Sequence, residues 1–175
     1  MGRIGQAVAC RARGFDMRVI YHNRQQLGAA TEAACNAGWV DMPTLLRLAD
    51  FVVLLVPYSP TTHHLIGAAE LSLMKRSAIL INVARGGVVD DAALVAALRD
   101  GVIAAAGLDV YENEPKLHPG FLTLKNVVLT PHIASSSTAT RKRMAMTAAE
   151  NLIAALAGEM PPNLLNPDTL KFVRK

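Results

Sequence analysis

An arginine, two carboxylates and a histidine stand at the ends of successive apolar runs in this 175-residue chain. Arg85 follows "AILIN" (78–82) within "INVARGGVVD" (81–90). Asp109 closes "VIAAAGLDV" (102–110), and Glu114 comes shortly after it in "AGLDVYENEP" (106–115). His132 follows "NVVLT" (126–130) in "LTPHIASSS" (129–137). These side-chain types suit proton transfer on an anionic substrate. Imidazole titrates near neutral pH and can hand over a proton. A carboxylate beside it favours the charged ring, and a guanidinium offers a planar fork to oxygen. Any one of them alone reads as a surface residue. Three in succession at strand ends form a candidate site.

The elements that must position them alternate between two periods. "MRVIY" (17–21), "FVVLLV" (51–56), "AILIN", "VIAAAGLDV" and "NVVLT" read as strands, and "GWV" (38–40) as a short edge strand. Unbroken apolar strands predict burial on both faces. Residues 4–14 read as a helix with Ile4, Val8 and Ala12 on one face. Asp90 or Asp91 can cap a helix that shows Leu94, Ala97 and Leu98 and stops at Gly101. A last helix carries Met144, Ala148, Leu152 and Leu156 and ends near Gly158, before Pro161-Pro162. Strand–helix alternation predicts an α/β fold with a doubly wound parallel sheet of Rossmann type. Ligands of such sheets bind at the carboxyl ends of the strands, where the four polar residues stand.

The opening "MGRIGQAVA" (1–9) reads as the back half of a G-x-G-x-x-G phosphate-binding turn. Gly2 lets backbone approach a phosphate, Gly5 lets the helix pack on a strand, and the amides of Arg3 and Ile4 face the phosphates. About 20 residues on, where an acid would bind a ribose 2′-hydroxyl, stands "YHNR" (21–24). His22 occupies that place, followed by Asn23 and Arg24, and no carboxylate appears between Asp16 and Glu32. Arginine offers a 2′-phosphate a charge-assisted contact, so the pattern favours NADP(H), with NAD(H) as second candidate.

Composition agrees with a globular domain: the chain is 51% hydrophobic and only 18% charged. No apolar run is long enough to span a membrane. The net charge of +4 reads as solvated surface or as affinity for a small anion. Scattered basic residues and few aromatics argue against nucleic acid. Cys10 and Cys35 have no metal or redox spacing and read as reduced core or near-core thiols of a cytoplasmic protein. No metal site is expected.

Together "GRIG", "NVARGGVVDDAAL", "AAGLDVYENEP" and "NVVLTPHIASS" resemble the D-isomer-specific 2-hydroxyacid dehydrogenases, over nearly the whole chain. Order and spacing agree, with 29 residues from Arg85 to Glu114 and 18 from Glu114 to His132. "YHNR" and "DFVVLLVPYSPTTHHLIG" look most like the glyoxylate/hydroxypyruvate/2-ketogluconate reductase branch. The resemblance implies reduction of a small 2-keto acid to the D-2-hydroxy acid. It makes Arg85, Glu114 and His132 the catalytic set and Asp109 a nicotinamide-side contact, with Val56, Pro57, Val83 and Ala134 lining the cofactor. It also implies a homodimer. Two departures stand beside the nicotinamide: Ala134 replaces the usual glycine after "PHI", and Ser135-Ser136-Ser137 replaces Ser-Ala-Thr.

The resemblance further implies a substrate domain, a first strand and a first glycine ahead of Met1. The expectation is therefore a cofactor domain over 1–158, truncated at its start, and a segment over 159–175 that returns to the substrate domain. Alone it would be inactive and of marginal stability, with an empty or refilled slot beside "RVIY". A non-catalytic nucleotide-binding or corepressor-like module is the alternative, since the fold does not settle function.

Overall fold

In the computed structural model the described residues are 1–168, so residues 169–175 of the expected C-terminal segment lie outside them. They divide into two compact units, one over Met1–His132 and one from Ile133 onward. The first unit begins with α1 (Arg3–Ala12) and a 3-10 turn, followed by β1 (Val19–Tyr21), α2 (Ala29–Cys35) and β2 (Ala37–Trp39). It continues with α3 (Met42–Leu48), β3 (Phe51–Leu54), α4 (Ala68–Leu73), β4 (Ile79–Asn82) and α5 (Asp91–Arg99). It closes with β5 (Ala105–Leu108), a second 3-10 turn (Pro119–Thr123) and β6 (Val127–Leu129). Every strand pairing is parallel. The connections run through α-helices, as the alternation predicts, except that β5 reaches β6 through the second 3-10 turn.

The sheet comes in two pieces. β1 pairs only with β2, and β3-β4-β5-β6 form a separate four-stranded sheet. Among the described residues no hydrogen bond joins β1 to β3, so each presents an unpaired edge. The slot expected beside "RVIY" is thus present as a break in hydrogen bonding.

Helices α3, α4 and α5 pack on one face of the larger sheet. Leu46, Leu71, Leu94 and Leu98 meet Val52, Leu54, Leu80, Ala106 and Leu108 in a single buried cluster closed by Phe121. Burial on both faces does not hold. Phe51 is 47% and Val53 36% exposed, and Val128 is exposed as well. The reason is that the helices of the cluster stand on the face carrying the alternate residues. Leu80, on the central strand β4, is among the fully buried residues of this cluster, at 0% exposed. Leu80→Ala should cost about 2–5 kcal/mol, the range for deleting a fully buried leucine, read from the midpoint of chemical denaturation.

The smaller sheet has its own cluster of Ala9, Tyr21, Cys35 and Ala37. It corrects two readings. The face of α1 turned inward carries Gly5 and Ala9, while Ile4 and Val8 are exposed. Small residues let the helix approach closely: a Cβ on Gly5 would lie 3.3 Å from Met1 Sδ and 3.8 Å from Leu55 Cδ1. Cys35 is buried as expected, but Cys10 is exposed.

In the second unit α6 (Thr138–Leu156) starts at Ser137, whose side chain accepts the Thr140 amide. Asn151 ties it to the following turn through two hydrogen bonds with Asn163. The apolar stripe of Met144, Ala148, Leu152 and Leu156 is exposed, and α6 buries no residue. Among the described residues no helix is long and apolar enough to cross a membrane.

Candidate active site

The register brings the chemistry to one edge. Leu54, Asn82, Leu108 and Leu129 form a continuous row across β3, β4, β5 and β6. Val56 and Pro57 stand just past that row on β3, and Val83 and Arg85 past it on β4. Asp109 follows directly on β5, and His132 lies three residues beyond β6. The strands are parallel, so all these residues leave the sheet at its carboxyl end.

Glu114 and His132 are in direct contact. His132 Nδ1 lies 2.8 Å from Glu114 Oε2, while Glu114 Oε1 accepts the Tyr111 amide at 3.0 Å. Both carboxylate oxygens are therefore engaged. Tyr111 itself is anchored, its hydroxyl donating to the Thr130 carbonyl at 2.8 Å. His132 has the left-handed φ of 53°, a conformation that non-glycine residues keep where the surroundings impose it. Asp109 is buried and accepts the Thr130 hydroxyl at 2.6 Å. Arg85 is exposed. Its guanidinium donates to the Ala84 carbonyl, and its own carbonyl accepts from the Asn82 side chain.

The glycine turn and the "YHNR" segment also meet. The Met1 amino group bonds to Asn23 Oδ1. Trp39 Nε1 donates to the Asn23 carbonyl, and the ring of His22 donates from Nδ1 to the Val40 carbonyl. His22 thus holds the segment against β2. Arg24 is exposed and has no ion pair among the described residues. The first turn of α1 has no side-chain cap and no acidic residue. Its free amides point out of the helix start, beside Gly2, whose Cβ position is open for 4 Å.

This geometry has relatives. Residues 1–134 match the family model described as D-isomer specific 2-hydroxyacid dehydrogenase, NAD binding domain. The chain belongs to that family. A glyoxylate reductase of Thermococcus litoralis is 53% identical over 169 residues, covering 97% of this chain and 51% of that protein. The crystal structure of a glyoxylate reductase from Paecilomyes thermophila superposes with a TM-score of 0.85 at 42% identity, covering 91% of this chain and 48% of the other. An NADPH-dependent glyoxylate/hydroxypyruvate reductase from Sinorhizobium meliloti, in complex with NADP and malonate, gives a TM-score of 0.81 at 38% identity, covering 87% and 47%. The chain spans about half the length of the curated relatives it matches.

For a 2-hydroxyacid dehydrogenase domain, the uncapped, acid-free start of α1 and the open space at Gly2 fit a dinucleotide pyrophosphate. Among the expected cofactor residues, Gly2, Arg3, Ile4 and Gly5 share the start of α1, and Asn23 is joined to it through Met1. Ala134 lies in the second unit. Several supporting residues carry no sequence signal of a site. Trp39 acts through a hydrogen bond to the Asn23 carbonyl, and the Tyr111 hydroxyl is shared between the Thr130 and Leu108 carbonyls. Asp91 is buried at the start of α5, and its carboxylate accepts the Glu112 amide at 3.1 Å. Burial pushes the Asp91 carboxyl up from its ordinary value. "YENEP" (111–115) could have suggested Glu112 as well as Glu114.

Partial burial raises the Glu114 carboxyl, but the hydrogen bonds from His132 and the Tyr111 amide outweigh it and hold the group below its ordinary value. A depressed acid stabilises the fold above its unfolded pKa, and that contribution is lost as pH falls through the folded pKa. Glu114→Gln should therefore melt below the wild type at neutral pH, and the two melting curves should converge under acid conditions. A gap that persists below the folded pKa of Glu114 would contradict this.

Proposed function

We propose that residues 1–158 are the dinucleotide-binding half of an NADPH-dependent reductase of small 2-keto acids of the glyoxylate/hydroxypyruvate type, with 159–175 returning toward a substrate domain. The observation that carries the reading is the Glu114–His132 pair at 2.8 Å, at the same sheet edge as Arg85. Reducing a 2-keto acid places a hydride on the carbonyl carbon and a proton on its oxygen. The nicotinamide supplies the hydride when bound. His132 supplies the proton. Its Nδ1 is held by Glu114, which leaves Nε2 to face the substrate oxygen. Glu114 holds and orients the ring. Arg85 binds the substrate carboxylate and polarises the carbonyl. Asp109 stands on the nicotinamide side, with Val56, Pro57 and Val83 lining the ring.

The glyoxylate reductases among the relatives support this chemistry, and their length supports a substrate domain in the whole protein. The test is loss of NADPH absorbance on adding glyoxylate to the reductase that carries this domain. Turnover is expected, and a folded protein that leaves NADPH unoxidised would overturn the reading.

Cofactor choice follows from Arg24, which meets no carboxylate among the described residues. In the reductase Arg24→Ala should weaken NADPH by roughly 1.5–3 kcal/mol, about 10- to 150-fold, the scale of a hydrogen bond to a charged group. NADH should be nearly unaffected. Equal losses for both cofactors in a binding titration would remove Arg24 from the role.

A further inference from the structure

Two imidazoles and a carboxylate outside the Arg85–Glu114–His132 set also meet at the carboxyl end of the larger sheet. His63 and His64, between β3 and α4, stack with ring centroids 3.9 Å apart and 24° between their planes. His64 Nε2 lies 2.7 Å from Glu112 Oε1. One ligand atom from each of His63, His64 and Glu112 lies within 4.8 Å of the other two. The outward nitrogens have polar neighbours too. The Tyr58 hydroxyl is 3.3 Å from His63 Nδ1, and an Asp90 oxygen is 3.9 Å from His64 Nδ1. The Tyr58–His63 contact matches the hydrogen bond that a metal-ligating histidine makes through its second nitrogen, which fixes tautomer and ring orientation. Successive side chains of an extended chain point to opposite sides. His64 instead has the left-handed φ of 48°, and the turn sets both rings side by side.

We propose that His63, His64 and Glu112 form a site for a borderline transition-metal ion, Zn²⁺ or Co²⁺, with the fourth position open to water. Two imidazole nitrogens and one carboxylate oxygen suit these ions, whereas Mg²⁺ and Ca²⁺ require oxygen ligands. Zinc bonds of about 2.0–2.2 Å in a tetrahedron separate neighbouring ligand atoms by about 3.3–3.6 Å. The His64–Glu112 contact of 2.7 Å then has to open by about 0.6–0.9 Å. The ion takes the place of the hydrogen bond in that pair, and the ring of His64 keeps its N–H on Nδ1, the side of Asp90. Glu112 sits two residues before Glu114, and Asp91 holds its amide. The ion therefore ties the loop after β3 to the segment that carries Glu114. The site does not depend on the reductase reading.

The test is calorimetric titration of Zn²⁺ into the chain at neutral pH, with the visible spectrum of Co²⁺ as a second readout. One ion per chain is expected, with the intense absorption of tetrahedral Co²⁺. His63→Ala and Glu112→Gln should each lower the affinity about 10-fold or more and abolish that spectrum. His118→Gln should change neither. His63 is exposed, so His63→Ala keeps its fold, which circular dichroism checks. No uptake of Zn²⁺, or uptake unchanged by both His63→Ala and Glu112→Gln, would overturn the proposal.

Discussion

Replacing His132 by alanine should lower the turnover of the reductase by about 10²–10⁴, the usual contribution of a positioned general acid. The hydrogen bond at 2.8 Å to Glu114 fixes the ring, and among the described residues no second imidazole bonds to Glu114. Cofactor affinity should stay close to that of the wild type, because the residues expected around the pyrophosphate lie at the start of α1. The loss should appear in kcat and kcat/KM alike, the signature of an interaction made in the transition state. Glu114→Gln should lower turnover less, since it leaves the proton donor in place. Turnover of His132→Ala within a few-fold of wild type would take proton donation away from this residue.

The second large effect is expected at Gly86. A Cβ there would lie 1.7 Å from the Tyr111 carbonyl oxygen and 2.8 Å from the Glu112 nitrogen. Both neighbours are backbone, so no side chain can swing aside. The loops that carry Arg85 and Glu114 are thus pressed together, backbone against backbone. In Gly86→Ala they must separate, and over-packing of this kind typically costs about 1–3 kcal/mol. For a domain of this size that lowers the melting temperature by roughly 2–12 °C. The kinetic effect should be larger. Displacing a catalytic group by about 1 Å can cost about 10²-fold, and here Arg85 moves relative to Glu114 and His132. Wild-type melting and turnover in Gly86→Ala would show that the two loops need not touch.

Much of this architecture is legible in the residues. The apolar runs "FVVLLV", "AILIN" and "NVVLT" each contain the strand found there, shortened by one or two residues in all. Asp90 caps α5 by accepting the Ala93 amide, as its place before Leu94 suggests. Strand order then follows from parallel pairing, and with it the common edge of Arg85, Asp109 and His132. Burial was less legible. Val53 and Leu54 look alike in sequence, yet only one faces the α3–α5 cluster, because the alternation of a strand is hidden when every residue is apolar. The inward face of α1 was hidden for the opposite reason. Gly5 and Ala9 carry little hydrophobic signal, and their smallness is what brings the helix close. His22 reads as a cofactor residue from its position alone. Its bond to Val40 depends on β2 lying alongside β1, a contact across the fold. The link between His64 and Glu112 likewise joins residues 48 positions apart, and neither position announces the other.

The central claim is that Arg85, Glu114 and His132 hold a 2-keto acid with one face of its carbonyl carbon toward the hydride donor while His132 protonates the carbonyl oxygen. The most direct measurement is the configuration of the product. The reductase that carries this domain is incubated with NADPH and hydroxypyruvate, and the glycerate formed is resolved by chiral chromatography. The account predicts D-glycerate alone, formed in proportion to the NADPH consumed and lost in His132→Ala. L-glycerate, a mixture of the two, or NADPH consumption that survives His132→Ala would contradict it.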